Sequence, residues 1–229
     1  MGENQLSRSE LIKMMAIRLF IAVPVLMAMF FLPAGTFAYW QAWVYLAIIF
    51  IPMLFVLVYF MKYDPKLLER RMRMREREAS QNLIVKFSIV FFLLAFILPS
   101  LDFRFGWSHV PHALVVIAEI VVFLSYGVVI LVFKENSFAS RVIEVEQGQK
   151  VISSGPYAIV RHPMYSGTVL MYIISPLALG SWWALIPAFM IIPVIMARIL
   201  NEEKLLARDL PGYPEYLQNV RFRLIPGIW

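Results

Sequence analysis

The sequence predicts an all-α integral membrane protein with about six transmembrane helices, and three observations predict it. Hydrophobic residues make up 61% of the 229 positions and charged residues 16%, whereas a soluble domain carries about a quarter charged residues. The apolar residues also fall in runs close to the roughly 20 residues that a helix needs to cross a bilayer. The 21 Lys and Arg residues flank these runs or sit at their ends, which is the pattern of membrane orientation and contact with anionic lipid. The net charge of +6 therefore carries no implication of nucleic-acid binding. Cysteine is absent, which excludes disulfides, thiolate metal sites and cysteine nucleophiles.

The first run, residues 17–37, contains Pro24 and Pro33. No small-residue cleavage site follows a short apolar core, so this run reads as a retained span and not a cleaved signal. Gly35-Thr36 marks a turn, and Tyr39, Trp40 and Trp43 suit a membrane interface. The second run covers residues 42–61; its Pro52 is tolerable where neighbouring helices re-satisfy the backbone. Residues 62–86 form a basic linker in which Asp64-Pro65 reads as a helix start. Leu67, Leu68, Met72 and Met74 interleave with arginines there, so the segment reads either as an amphipathic interfacial helix or as a solvated cytoplasmic linker.

The third run, residues 83–101, leads into a loop holding Trp107 and His109, and the fourth covers residues 112–133. Glu119 lies about two turns inside that fourth run, where an interfacial or protonated glutamate is expected. Residues 134–161 are polar. Val142, Ile143 and Val145 alternate with Glu144 and Glu146 before Gln147-Gly148-Gln149, a weak hairpin signal. Two further runs, residues 164–179 and 182–199, are separated only by Gly180-Ser181 and read as a helical hairpin. The tail from 201 on is polar and aromatic. With six spans and both termini cytoplasmic, every Lys and Arg except Arg104 falls on one side. That layout puts the two halves of a candidate site on one face. It divides the chain into four amino-terminal spans, 1–133, and a loop, hairpin and tail, 134–229.

The polar residues that could carry chemistry cluster in SSGPYAIVRHPMYSG, residues 153–167. Pro163 fits the first turn of a helix, and backbone donors at that start favour an anion such as a carboxylate. Across the hairpin, Arg198 and Glu202 are four apart on one helix face, with Glu203 one residue on. A ligand bearing a carboxylate and an ammonium could be clamped between them. Gly155 and Gly167 could admit a ligand close to backbone, and Tyr157, Tyr165, Tyr213 and Tyr216 offer aromatic walls for a planar ring or a cation. Taken singly, His-Pro at a membrane boundary is an ordinary helix cap and Glu-Glu after a span an ordinary solvated start. It is their convergence on one face that points to a site.

GPYAIVRHPMYSG, followed after the hairpin by RILNEEKLLARDLPGYPEYLQNVRFRLIP, resembles the carboxy-terminal half of the isoprenylcysteine carboxyl methyltransferase family, which is related to the membrane phospholipid methyltransferases. The resemblance covers residues 142–226, and the first four spans carry no recognised motif. It implies an S-adenosyl-L-methionine site without a Rossmann sheet, enclosed by loop, hairpin and tail. A lipophilic or prenylated acceptor, an isoprenylcysteine-type carboxylate or a lipid amine, would enter sideways from the bilayer. By that similarity Tyr157, Arg161, His162, Pro163, Tyr165, Gly167, Glu202, Glu203 and Tyr216 contribute to the cofactor pocket. Arg198 and Glu203 match an arginine–glutamate pair used near the methyl acceptor, and no metal is implied. Pro211-Gly212-Tyr213-Pro214 departs from the Phe-Gly-x-x-Tyr more usual in the family, which bears on the local shape of the tail. Two other readings compete. Sterol reductases share a His-Pro-x-Tyr-x-Gly segment and take NADPH, although Gly155-Pro156-Tyr157 and Glu202-Glu203 suit the methyltransferases better. A non-enzymatic scaffold or transporter would instead use the basic 62–86 segment to dock membrane lipid or a partner.

Overall fold

Away from water a chain must satisfy its own backbone donors and acceptors, so long apolar runs fold as helices. In the computed structural model, which describes residues 7–72, 79–140, 145–146 and 148–229 and of 79–87 the backbone alone, the runs do so. The order is α1 (Arg8–Ala34), α2 (Trp40–Tyr63), α3 (Pro65–Met72), α4 (Ala79–Phe105), α5 (His112–Glu135), α6 (Pro163–Ala178), α7 (Leu185–Asp209) and α8 (Tyr213–Asn219), with a 3-10 turn at Gly155–Ala158. There is no strand among the described residues. Of the weak hairpin signal, residues 141–144 and 147 lie outside the described residues. What is described is a turn, closed by the Gln149 N–H donating to the Glu146 carbonyl at 3.1 Å.

Local signals set the helix ends. Ser7 and Glu10 form a reciprocal capping box at the start of α1, and Asp64 Oδ1 accepts the Leu67 N–H at 3.1 Å at the start of α3. Pro65 and Pro163 open α3 and α6, the positions the sequence suggested. The part of the 62–86 segment that folds as α3 buries Leu67 and Leu68; Met74 lies outside the described residues.

Among the described residues five helices are long and apolar enough to cross a membrane: Arg8–Ala34, Trp40–Tyr63, Ser88–Phe105 within α4, His112–Glu135 and Leu185–Asp209. The outward faces are greasy, with Phe20, Leu32 and Val58 80%, 75% and 73% exposed. That is the reverse of a soluble surface and fits a multi-pass membrane protein. The expected sixth span, α6, has 16 residues, or about 24 Å of helix, less than the roughly 30 Å hydrocarbon core.

α6 lies against α5, closely enough that a Cβ on Gly167 would sit 3.0 Å from the Ser125 carbonyl oxygen. The Tyr45 and Ser175 hydroxyls, 2.7 Å apart, tie α2 to α6. Glu119 is buried in α5, with neither carboxylate oxygen hydrogen-bonded. At one end of the bundle Asp102 gathers the loops: it accepts the Ser108 N–H at 2.6 Å and the Ser108 and Ser181 hydroxyls at 2.5 Å each. At the other end, Arg18 donates to the Met72 carbonyl at 2.8 Å and Arg70 to Glu146 at 2.7 Å. The starts of α1 and α6 and the ends of α2, α5 and α7 meet at this second end, which is the basic one.

Candidate active site

Because proline fixes φ and lacks an N–H, Pro163 starts α6 abruptly and leaves Arg161 and His162 outside the helix, just before it. Their backbone N–H groups donate to the Phe222 and Arg223 carbonyls at 2.9 Å each, and the Ser166 hydroxyl donates to the Leu224 carbonyl at 2.7 Å. The tail is thereby laid along the start of α6. This pairing joins residues some 60 positions apart and has no sequence signature.

The two adjacent glutamates of α7 face different ways. Glu203 is buried: Oε1 lies 3.2 Å from His162 Nε2, and Oε2 accepts Arg223 Nε at 2.9 Å. Arg161 Nε also lies 3.2 Å from Oε1, but it is misaligned for a hydrogen bond. With a carboxylate partner, His162 carries its proton on Nε2. Glu202 looks into open space. Its Oε2 accepts the Tyr165 hydroxyl at 2.8 Å, and that hydroxyl in turn accepts Arg198 Nε at 2.9 Å. The His162 Nδ1 is 4.0 Å from Glu202 Oε1.

The tail supplies the remaining wall. Gly212, with φ of 86°, takes a left-handed conformation that a side chain would strain, and it turns the chain into α8. Tyr213 and Tyr216 then lie side by side, ring centroids 5.7 Å apart. The Tyr216 hydroxyl donates to the Tyr157 carbonyl at 2.8 Å, and Asn136 Nδ2 donates to the Tyr157 hydroxyl at 2.9 Å. Burial pushes the Tyr157 phenol up to about 12 against the Asn136 hydrogen bond, and it raises Tyr213 and Tyr216 as well. All three are neutral at physiological pH and can donate. The Tyr213 hydroxyl is buried and has no hydrogen-bond partner among the described residues.

These walls enclose a cavity of about 840 Å³, part of it open to solvent. Of the residues expected from sequence, Tyr157, Arg161, His162, Pro163, Tyr165, Glu202, Tyr216 and Arg198 all line it. Two that were expected there sit elsewhere. Glu203 lies behind the wall, clasping two elements together. Gly167 is in the α5–α6 contact, where its missing side chain admits α5 and not a ligand. Gly155 likewise faces the Glu135 carboxylate, 3.1 Å from where a Cβ would stand. The sequence reading missed Asn136, Phe138 and Lys150 in the lining, and Leu206 and Leu210 too. Of these, Leu206 was findable, because 198, 202 and 206 repeat at four-residue spacing along one helix face, whereas Leu210 follows the end of α7. Among the described residues no three His, Asp or Glu side chains converge as a metal site would require.

The arrangement can therefore bind a ligand with a cationic and an anionic end beside aromatic faces. Glu202 would take the first, the open N–H groups at the start of α6 the second. No curated protein matches the chain. Residues 113–210 do match the sequence model of the phospholipid methyltransferase family. The match runs from α5 through α7 and takes in both the Arg-His-Pro start of α6 and the Arg198–Glu202 face. The segment that builds this cavity's floor and one of its walls is thus similar to the phospholipid methyltransferase family, a family of membrane methyltransferases.

Proposed function

We propose that the protein transfers a methyl group from S-adenosyl-L-methionine to a lipophilic acceptor that approaches from the bilayer, an isoprenylcysteine-type carboxylate or a lipid amine. The observation that carries this reading is the Tyr213 hydroxyl, buried at the cavity wall and unpartnered, beside a carboxylate, a helix start and three tyrosine rings. A buried hydroxyl without a partner is costly, and a ligand rich in hydrogen-bonding groups relieves that cost. The donor set fits this cofactor: Glu202 suits its ammonium, the α6 N–H groups its carboxylate, and the tyrosine faces its cationic and planar parts.

When bound, the cofactor supplies a sulfonium methyl group already activated for displacement. The protein's own task is then alignment, more than proton transfer. Arg198, held through Tyr165, orients an acceptor carboxylate, which is ionised at neutral pH. Tyr157, Tyr213 and Tyr216 exclude water from the reacting groups. Glu203 acts at one remove, by fixing Arg161, His162 and the tail. On this reading residues 134–229 hold the cofactor and 1–133 the membrane frame, and the concentration of Lys and Arg at the cavity end supports a cytoplasmic location for both termini.

Calorimetry with S-adenosylhomocysteine and with NADPH tests the assignment. S-adenosylhomocysteine is expected to bind and to raise the unfolding midpoint, and His162→Ala to abolish that rise. Binding of NADPH without S-adenosylhomocysteine would overturn it in favour of a reductase. Radiolabelled methyl transfer into a total membrane extract would then name the acceptor.

A further inference from the structure

A second cavity opens where two membrane helices stop. α2 ends at Tyr63 and α5 at Glu135, and beside these ends lies about 1040 Å³ of space that communicates with solvent. Its walls are aromatic, with Phe60 and Phe133 meeting edge to face at 6.1 Å. Its charged groups are Lys66, Arg70 and Lys134 against Asp64.

These charges are not equivalent. Arg70 is committed, donating from Nε to Glu146 and from Nη1 to the Ser137 carbonyl, both at 2.7 Å. Asp64 is committed to the α3 N-terminus. Lys66 and Lys134 are both exposed, and neither makes an ion pair or hydrogen bond among the described residues. The cavity thus offers two unpaired ammonium groups against one carboxylate that already caps a helix, and its charge is net positive. Two ammonium groups recognise a phosphate. With the cations in excess over Asp64, the complement is net anionic.

An apolar track leads away from this site into the membrane zone. Tyr63, Tyr59 and Phe55 stack at four-residue spacing on α2, with centroids 4.6 Å and 5.8 Å apart. Tyr63 and Phe55 are 62% and 59% exposed. Free phosphate has no use for such a track, whereas an acyl chain does. Tyrosines at the end of a span also mark the headgroup level.

We infer that this cavity is a docking site for an anionic phospholipid, with its phosphate between Lys66 and Lys134 and one acyl chain along the Phe55–Tyr59–Tyr63 ladder. The site stands independently of the methyl-transfer reading, although Phe138 lines both cavities.

The test titrates the full-length protein in a non-ionic detergent with short-chain phosphatidylglycerol, phosphatidylcholine of equal chain length, and inorganic phosphate. Bound lipid is counted by native mass spectrometry. Phosphatidylglycerol is expected to bind about tenfold tighter than phosphatidylcholine. The preference should vanish in Lys66→Gln/Lys134→Gln, persist in the control Lys13→Gln, and survive millimolar inorganic phosphate. A double variant that keeps the preference, or displacement of the lipid by inorganic phosphate alone, would overturn the inference. S-adenosylhomocysteine binding is expected unchanged in the double variant, which keeps this test separate from that of the methyl-transfer site.

Discussion

Tyr213→Phe separates a ligand-directed hydroxyl from a structural one, because the two roles predict opposite signs. The hydroxyl is buried at the cavity wall with no partner, and an unsatisfied buried polar group costs about 1–3 kcal/mol. Removing it leaves the ring and its contact with Tyr216, so the ligand-free protein should gain stability. At the lower end of that range the unfolding midpoint rises by about 2–4 °C for a chain of this size. The ligand, by contrast, loses one hydrogen bond, worth about 0.5–1.5 kcal/mol. That corresponds to roughly a 2- to 12-fold weaker affinity for S-adenosylhomocysteine. Differential scanning fluorimetry without ligand and calorimetry with it read the two effects separately. A variant that unfolds earlier, or one that binds S-adenosylhomocysteine as tightly as the parent, would refute the reasoning.

Other perturbations follow from the same geometry. Glu203→Ala strands Arg161, His162 and Arg223 in a buried setting, and a broken buried pair costs about 3–5 kcal/mol. The variant should lose folded yield, whereas Glu202→Gln should fold normally and lose ligand affinity; size-exclusion profiles and calorimetry distinguish them. Gly167→Ala forces α6 away from the Ser125 carbonyl and should cost about 1–3 kcal/mol, read as a lower unfolding midpoint. The Tyr157 phenol, pushed up to about 12 by burial, ionises less readily folded than unfolded. Its contribution to stability is complete below about pH 10 and is lost as pH rises through 10 toward 12. Alkaline unfolding curves should show that loss, with a shallower slope in Tyr157→Phe.

The spans were legible in the sequence because hydrocarbon demands long apolar helices, and their limits differ from the sequence reading by only a few residues at most ends. The site was legible in outline for a similar reason: Pro163 announces a helix start, and Arg198 with Glu202 announces a helix face. What failed was resolution between neighbours. Each residue turns an α-helix by about 100°, so Glu203 cannot share the face of Arg198 and Glu202, and motif resemblance alone does not apply that rotation. Gly167 failed for a different reason, since a glycine reads the same whether a ligand or a helix approaches it. The pairing of Arg161 and His162 with Phe222 and Arg223 depends on backbone groups that every residue carries, so no residue type could have signalled it.

The short α6 has a consequence for where in a cell this chemistry can run. α5 is about 36 Å long and α6 about 24 Å, and α6 reaches the Tyr39 end of the bundle through the bond from the Tyr39 hydroxyl to the Leu179 carbonyl. Its shortfall therefore lies entirely at the cavity end. If α6 stands along the bilayer normal, His162 at its start would lie beneath the headgroups of a bilayer of ordinary thickness, and lipid would thin, or water dip, to reach it. Thin membranes, or thin patches within thick ones, would be the places where this protein turns over fastest, and reconstitution into lipids of graded chain length would show it.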